Sequence, residues 1–300
     1  MYFSYERGFE AIAVGSESVA IAMNSLGAIF TQFYVKPKGP RWHMLVNLPG
    51  NAKPTHIDCA ADGTIGAVAD GNIYLYDRGP RDTNGEWKMT DAALDGATVS
   101  SISIGSINNI LILTTEGTVY RYYANGLSKK IYNPQYFPSS SYAYIVGTAT
   151  DGTSVARFSE STGTNKQDIH QYFEAAGWAN ITPGDHDEIY SLSPSDANTI
   201  YFACGEKGLY KATGNGIIED VPVKEAWYNS KLFKYEQAYL EGNIISVNAG
   251  TDNRVAIVFK NPDGSKHAFL STPDPAYGHL MPEMDVPEHR VVPVDKSDSK

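Results

Sequence analysis

A histidine near a carboxylate is the usual starting material for acid–base catalysis or metal ligation, because imidazole exchanges a proton near neutral pH and a carboxylate can orient it. Two such groupings stand out, His56 with Asp58 and the run His186, Asp187, Glu188, with Tyr144 as a further polar group at a comparable place in the chain. None of the seven histidines stands in a close-spaced ligand pair such as HxH or HExxH, so the second run reads equally well as a polar connection. His43, His170, His267, His279 and His289 have no recognisable chemical partner. Other reaction signatures are missing. There is no phosphate loop or dinucleotide fingerprint, and "GSESVAIA" from Gly15 lacks the flanking glycine of a nucleophile elbow. The Asp-Gly turns carry too few alternating carboxylates for a calcium loop. No cofactor and no metal are expected.

A second chemistry needs no reaction. A sugar is held by an aromatic face under its C–H groups and by planar polar groups that reach its hydroxyls. Trp227, Tyr228 and Asn229 stand side by side in "EAWYNSK" and fit that description, and Asn72, Arg121 and Asn125 supply hydrogen-bonding groups near turns. Trp42, Trp87 and Trp178 occupy equivalent phases, which marks them for a shared packing task. The alternating pairs Tyr74/Tyr76 and Tyr120/Tyr122 are those of ordinary strand faces.

The elements that must position these groups repeat. Short apolar runs centre on Ile12, Ile57, Ile102, Ile145, Ile189 and Ile245, at intervals of 45, 45, 43, 44 and 56 residues, so six units are implied, the fifth with an insertion. Each has a second strand ("SVAIAM", "TIGAVA", "ILILTT", "TSVARF", "TIYFAC", "RVAIVF"), and most have a glycine-led third ("GNIYLY", "GTVYRYY"). A Trp-led fourth strand is seen at Trp42, Trp87 and Trp178, and Tyr132 lies 45 residues after Trp87. Four short antiparallel strands per unit make a blade, and six blades that bury one another's faces make an all-β six-bladed propeller. One domain is expected over 1–294, with blades starting near 10, 55, 99, 142, 187 and 242, and a polar tail over 295–300. Either residues 1–9 or "RVVPV" from Arg290 closes the ring, and the proline-rich stretch from Ser271 is expected to wind over the last blade as its fourth strand.

Composition bounds the partners. Lys and Arg number 24 against 34 Asp and Glu, a net charge of -10 with no basic cluster, which argues against nucleic acid. Cys59 and Cys204 read as buried thiols of a reducing compartment. The start of the chain has no signal-peptide pattern and no run of eighteen apolar residues occurs, so neither membrane insertion nor export is expected, and a cytoplasmic location is.

The segment "WHMLVNLPGNAKPTHIDCAADGTIGAVADGNIYLYD", Trp42 to Asp77, resembles the tectonin repeat: a Trp, a Pro-Gly turn, an Ile strand, an Asp-Gly hairpin and a Gly-Ile-Tyr strand. The likeness fades from unit three onward. It implies a six-bladed propeller and, by extension from fungal and invertebrate members, a multivalent lectin for surface glycans on glycoproteins or glycolipids, acting in defence. The alternatives are an enzyme with an acid–base or metal site at the mouth of the central channel, built on His56, Asp58, Tyr144, His186 and Glu188, and a protein-binding scaffold.

Overall fold

A computed structural model describes residues 2–272, apart from 7, 17, 36–38, 93, 124, 134–141, 160–166, 183–187, 205–207, 215–217, 230–233, 240–242 and 253; at strand positions 2–5, 33–35, 39–41, 159, 167, 224–229, 234–239 and 272 only the backbone is described. Its strands form six sheets around an axis. Blade one is β2 (Phe9–Ser16), β3 (Val19–Asn24), β4 (Ile29–Val35) and β5 (Gly39–Met44); blade two is β6 (His56–Cys59), β7 (Ile65–Ala69), β8 (Asn72–Tyr76) and β9 (Trp87–Met89). Blade three is β10 (Val99–Ser106), β11 (Asn109–Thr114), β12 (Val119–Tyr122) and β13 (Ser128–Tyr132). Blade four is β14 (Tyr142–Thr148), β15 (Ser154–Ser159), β16 (Gln167–Phe173) and β17 (Gly177–Asn180). Blade five is β18 (Ile189–Asp196), β19 (Thr199–Cys204), β20 (Gly208–Thr213) and β21 (Ile218–Val221). Blade six takes β24 (Asn243–Ala249), β25 (Val255–Lys260) and β26 (Lys266–Thr272) from the end of the chain and its fourth strand, β1 (Tyr2–Glu6), from the beginning.

The ring is therefore closed by the N-terminus: β1 runs antiparallel to β26, from Tyr2 opposite Thr272 to Glu6 opposite Ala268. This corrects the expectation that the segment after Ser271 supplies the fourth strand, since β1 fills that place; residues 273–300 lie outside the described residues. The insertion after blade five is a hairpin, β22 (Lys224–Asn229) and β23 (Lys234–Tyr239), which joins the same sheet through a parallel pairing of β22 with β1.

The second strands of five blades are mostly apolar because neighbouring blades cover both of their faces, and all six residues of β11 are buried; β15 of blade four, SVARFS, departs from this. The core thus lies between blades. Ile21 of blade one packs with Ile57, Ile65, Tyr76 and Trp87 of blade two, and Leu111 of blade three with Val146 and Phe158 of blade four. Each such side chain contributes about 1.5–3 kcal/mol by leaving water. The outer tryptophans tie each blade to the one before it. Trp42 Nε1 donates to Glu6 Oε2 of β1 (2.8 Å), Trp87 Nε1 to the carbonyl of Val46 (2.8 Å) and Trp178 Nε1 to the carbonyl of Ile131 in β13 (3.0 Å). Tyr132 is not their equivalent. Trp87 pairs with Tyr76 and Trp178 with Tyr172, whereas the residue opposite the matching Tyr122 is Ser128; the short β12–β13 turn brings Tyr132 to the other end of its strand.

The hairpins between first and second strands alternate around the ring. Blades one, three and five turn in two residues, closing at Ser16–Val19, Ser106–Asn109 and Asp196–Thr199. Blades two, four and six turn in five, closing at Cys59–Ile65, Thr148–Ser154 and Ala249–Val255. In the longer turns an aspartate serves two blades. Asp62 accepts from Thr64 N in its own turn and from Ile107 N of blade three (both 2.9 Å), and Asp151 accepts from Thr153 N (2.9 Å) and from Ala197 N of blade five (2.8 Å). On their other side blades one and three approach the next blade backbone to backbone, whereas in blade five Ser195 Oγ donates to the Gly250 carbonyl at 2.9 Å. A Cβ on Gly15 would lie 2.3 Å from the Ala60 carbonyl carbon, and one on Gly105 2.2 Å from the Ala149 oxygen, so both positions require glycine.

Candidate functional site

The innermost strands β2, β6, β10, β14, β18 and β24 carry a belt of side chains at one level: Ala13, Asp58, Ser103, Gly147, Ser193 and Asn248, each followed by a residue whose backbone faces the blade before it. Asp58 Oδ2 accepts from Ile104 N of blade three (2.7 Å), Ser103 Oγ from Thr148 N of blade four (3.0 Å), Ser193 Oγ from Ala249 N of blade six (2.9 Å) and Asn248 Oδ1 from Val14 N of blade one (2.7 Å). The two remaining seams show why the pattern is structural. Gly147 has no acceptor, and the residue facing it, Pro194, has no N–H. Ala13 has no acceptor either, and Cys59 N turns to the Oδ1 of its own neighbour Asp58 (2.9 Å). The small Ala13 also leaves room for Asn248 Nδ2 to reach past blade one and donate to Asp58 Oδ1 (2.9 Å).

Asp58 is 3% exposed. Burial raises its pKa to about 6, against the lowering effect of its donors Ile104, Cys59, Asn248 and Ser103. His56 lies two residues earlier on the same strand, and burial lowers its pKa while a hydrogen bond with the Ile102 backbone opposes that. Ser191 makes the matching contact in blade five, accepting from Val247 N at 3.1 Å. His56 and Asp58 thus join blades, His56 through a backbone partner and Asp58 through backbone amides and the side chains of Asn248 and Ser103. At the far end of the belt the first-to-second-strand turns close the axis with small residues, Gly15, Ala60, Ala149 and Gly250 among them, which line one small cavity. Among the described residues no group of three His, Cys, Asp or Glu is placed to hold a metal ion.

The other end, where the inner strands begin, is built differently. Five of these strands carry a bulge at their start: the pairing skips one residue between Phe9 and Ala11, Val99 and Ser101, Ala143 and Ile145, Ile189 and Ser191, and Ile244 and Ser246. In blade two, Thr55 holds the same place, its N donating to the Val68 carbonyl at 2.8 Å. A bulge re-aims its extra side chain, and here it does so around the axis. The six residues are Glu10, Thr55, Ser100, Tyr144, Tyr190 and Ile245. Thr55 and Ser100 turn their hydroxyls back onto the second strand, at 3.3 and 3.0 Å from the Val68 and Leu113 carbonyls. Tyr144 and Tyr190, on adjacent blades, are 54% and 43% exposed, and Tyr142 is 47% exposed.

Beneath the Tyr144 ring, and within electrostatic reach of Tyr190, lies a buried cation. Arg157 of β15 pairs with Ile145, at the place held by Met23, Val68, Leu113, Ala203 and Val258 in the other blades. It is 9% exposed. Its Cζ sits 5.6 Å from the centre of the Tyr144 ring, Nη1 donates to the Ile189 carbonyl of blade five, and Nη2 lies 3.8 Å from Glu188 Oε1. Among the described residues Nε is buried without a hydrogen-bond partner. Burial lowers the pKa of Arg157, and Glu188, Tyr144 and Tyr190 oppose that shift; an arginine stays cationic across the physiological range.

The residues singled out in the sequence are thus divided. Tyr144 and Glu188 meet, through Arg157; His56 and Asp58 belong to the belt; His186 and Asp187 lie outside the described residues. Arg121 is 8% exposed and turned into the blade three–four seam, where Nη1 pairs with Glu174 Oε1 (2.5 Å), Nη2 donates to Ser154 Oγ (2.8 Å) and the guanidinium covers Tyr172 at 5.1 Å. Asn72 and Asn125 are exposed and hold their own turns, Asn72 Nδ2 donating to Asp70 O (3.0 Å) and Asn125 Oδ1 accepting from Leu127 N (3.1 Å). Trp227, Tyr228 and Asn229 lie on β22, and their side chains are outside the described residues. Arg157 and Tyr190 escaped the sequence reading. The signal was the fifth letter of "TSVARF", charged where every other second strand is apolar once the pairing register is known.

No protein-family profile matches the chain, and no curated protein matches it in sequence. Among solved structures it is similar to virginiamycin B lyase from Staphylococcus aureus, at 12% identity and TM-score 0.54 over 90% of this chain and 99% of that one. It is also similar to YCF48 bound to a D1 peptide, at 11% identity and TM-score 0.54 over 89% and 79%. At these identities the likeness shows a shared propeller fold and nothing further.

Proposed function

We propose that this propeller is a carbohydrate-binding protein, a lectin of the tectonin kind, and that its sugar site is the face of blades four and five where the inner strands begin. The observation that carries the reading is the pair of exposed tyrosines, Tyr144 and Tyr190, on the two adjacent bulges, beside the polar groups of Arg157 and Glu188. Aromatic faces with charged groups at their edge are what a pyranose ring and its hydroxyls require. The tectonin-like segment Trp42–Asp77 supports the same reading. The repeat suggested several loop sites, whereas this pair occurs at one seam, so the reading commits to one principal site per chain. Its targets are glycans of glycoproteins or glycolipids.

The test is a glycan array followed by titration calorimetry with the free sugar. Saturable binding near one site per chain, competed by that sugar, supports the reading. Tyr190→Ala should weaken it about tenfold, the equivalent of roughly 1.4 kcal/mol, with an unchanged melting temperature. An array without signal from folded protein, or binding indifferent to both Tyr144→Ala and Tyr190→Ala, overturns it.

A further inference from the structure

Five of the six blades fill the position of Arg157 with an apolar side chain, so the fold itself has no need of a cation there. The sixth blade buries a guanidinium, an arrangement that is costly unless its charge and donors are matched. They are matched incompletely. One terminal nitrogen serves the Ile189 carbonyl, Nε is buried without a partner among the described residues, and the counter-charge Glu188 is 3.8 Å away with a side chain 56% exposed. A contact that long and that wet contributes little and is readily displaced. The unmet donor capacity lies under the exposed ring of Tyr144 and within electrostatic reach of the exposed Tyr190.

We infer that Arg157 makes this site selective for saccharides that carry a carboxylate, the ligand's carboxyl group replacing Glu188 on the guanidinium while the sugar ring rests on the tyrosines. The inference rests on the glycan-binding reading and narrows it to acidic sugars. Guanidinium and carboxylate match in planarity and charge, which an ammonium group would not reproduce. Glu188 then acts as a built-in competitor that keeps the buried cation neutralised when the site is empty.

The experiment compares glucuronic acid, its methyl ester, glucose and acetate by calorimetry and saturation-transfer NMR. Glucuronate should bind at least tenfold more tightly than its methyl ester or glucose, and acetate far more weakly than glucuronate. Arg157→Met, which installs the side chain that blade one carries as Met23, should abolish the preference for glucuronate over glucose. Glu188→Gln, an exposed change that leaves the core untouched, should tighten glucuronate binding several-fold by removing the competing carboxylate. Equal affinity for glucuronate and its methyl ester overturns the inference and leaves the lectin reading intact. Acetate binding as tightly as glucuronate overturns it as well, in favour of a bare anion site. If no sugar binds and the tyrosine variants change nothing, both fall together.

Discussion

Asp58 is held by donors from blades two, three and six, all of them better matched to an ionised carboxylate, yet its burial favours the neutral form strongly enough to raise the pKa to about 6. The sign of the consequence is fixed by that shift. Folded protein holds a proton on Asp58 between about pH 4 and 6 that unfolded chain has released, so this group's contribution to stability is fully present below about pH 4 and is lost as pH rises through about 6. Thermal unfolding followed from pH 4 to pH 7.5 should show this slope, and Asp58→Asn should flatten it. Asp58→Ala should cost roughly 3 kcal/mol or more at any of these pH values, because Ile104 N and Asn248 Nδ2 are left buried without an acceptor. None of this was legible beforehand. In sequence, His56 with Asp58 looks like half of an active site; only the other blades reveal that His56 faces backbone and that Asp58 is held by backbone amides and the distant Asn248 side chain.

Among the elements, the seam between β14 and β18 offers a direct test of how the belt works. A Cβ on Gly147 would stand 2.7 Å from Pro194 Cδ, so Gly147→Ser alone should destabilise by about 1–3 kcal/mol through overpacking. Pro194→Ala alone restores an N–H that meets no acceptor. Together they rebuild the serine-to-amide bond that Ser193 makes with Ala249, and a double-mutant cycle should show favourable coupling of about 1 kcal/mol or more; strict additivity would show that the belt contributes nothing. The same scale explains what was readable in advance. The strands were, because blade-on-blade burial demands apolar β-branched runs at a fixed period. The blade-four third strand was not, since "QDIHQYF" of β16 carries polar residues on both faces, Asp168 and His170 on one and Gln171 on the other, and the bulges were not, since a one-residue slip in pairing leaves no mark in composition. Tyr144 and Tyr190 become comparable only after those bulges align them.

For the whole molecule, closure depends on the first residues of the chain. β1 supplies the outer strand of blade six, covers the edge of β26 and brings Glu6, 5% exposed, under the indole of Trp42 in blade one. Removing residues 1–6 should lower the melting temperature and, by baring a strand edge, promote association at high concentration, seen by size-exclusion chromatography. Unfolding unchanged by that truncation would mean that the ring holds without its latch. The six-unit propeller was visible in the sequence from period alone, whereas the choice of latch was not, because β1 and the distal "RVVPV" are equally plausible strands on paper and only the pairing of Tyr2 with Thr272 distinguishes them.

The alternating hairpins carry a consequence for anyone redesigning this architecture. A carboxylate-bearing turn meets a two-residue turn at the blade two–three and four–five seams, the longer turn of blade six meets blade one through Thr251 and Arg254, and the glycine-tight contacts Gly15–Ala60 and Gly105–Ala149 or the Ser195–Gly250 hydrogen bond separate one couple from the next. The ring is thus a closed trimer of couples written on one chain. A redesigned relative with one blade more or fewer would set two like turns face to face, each offering the same group to the other; its size can be changed by inserting or deleting two blades at a time.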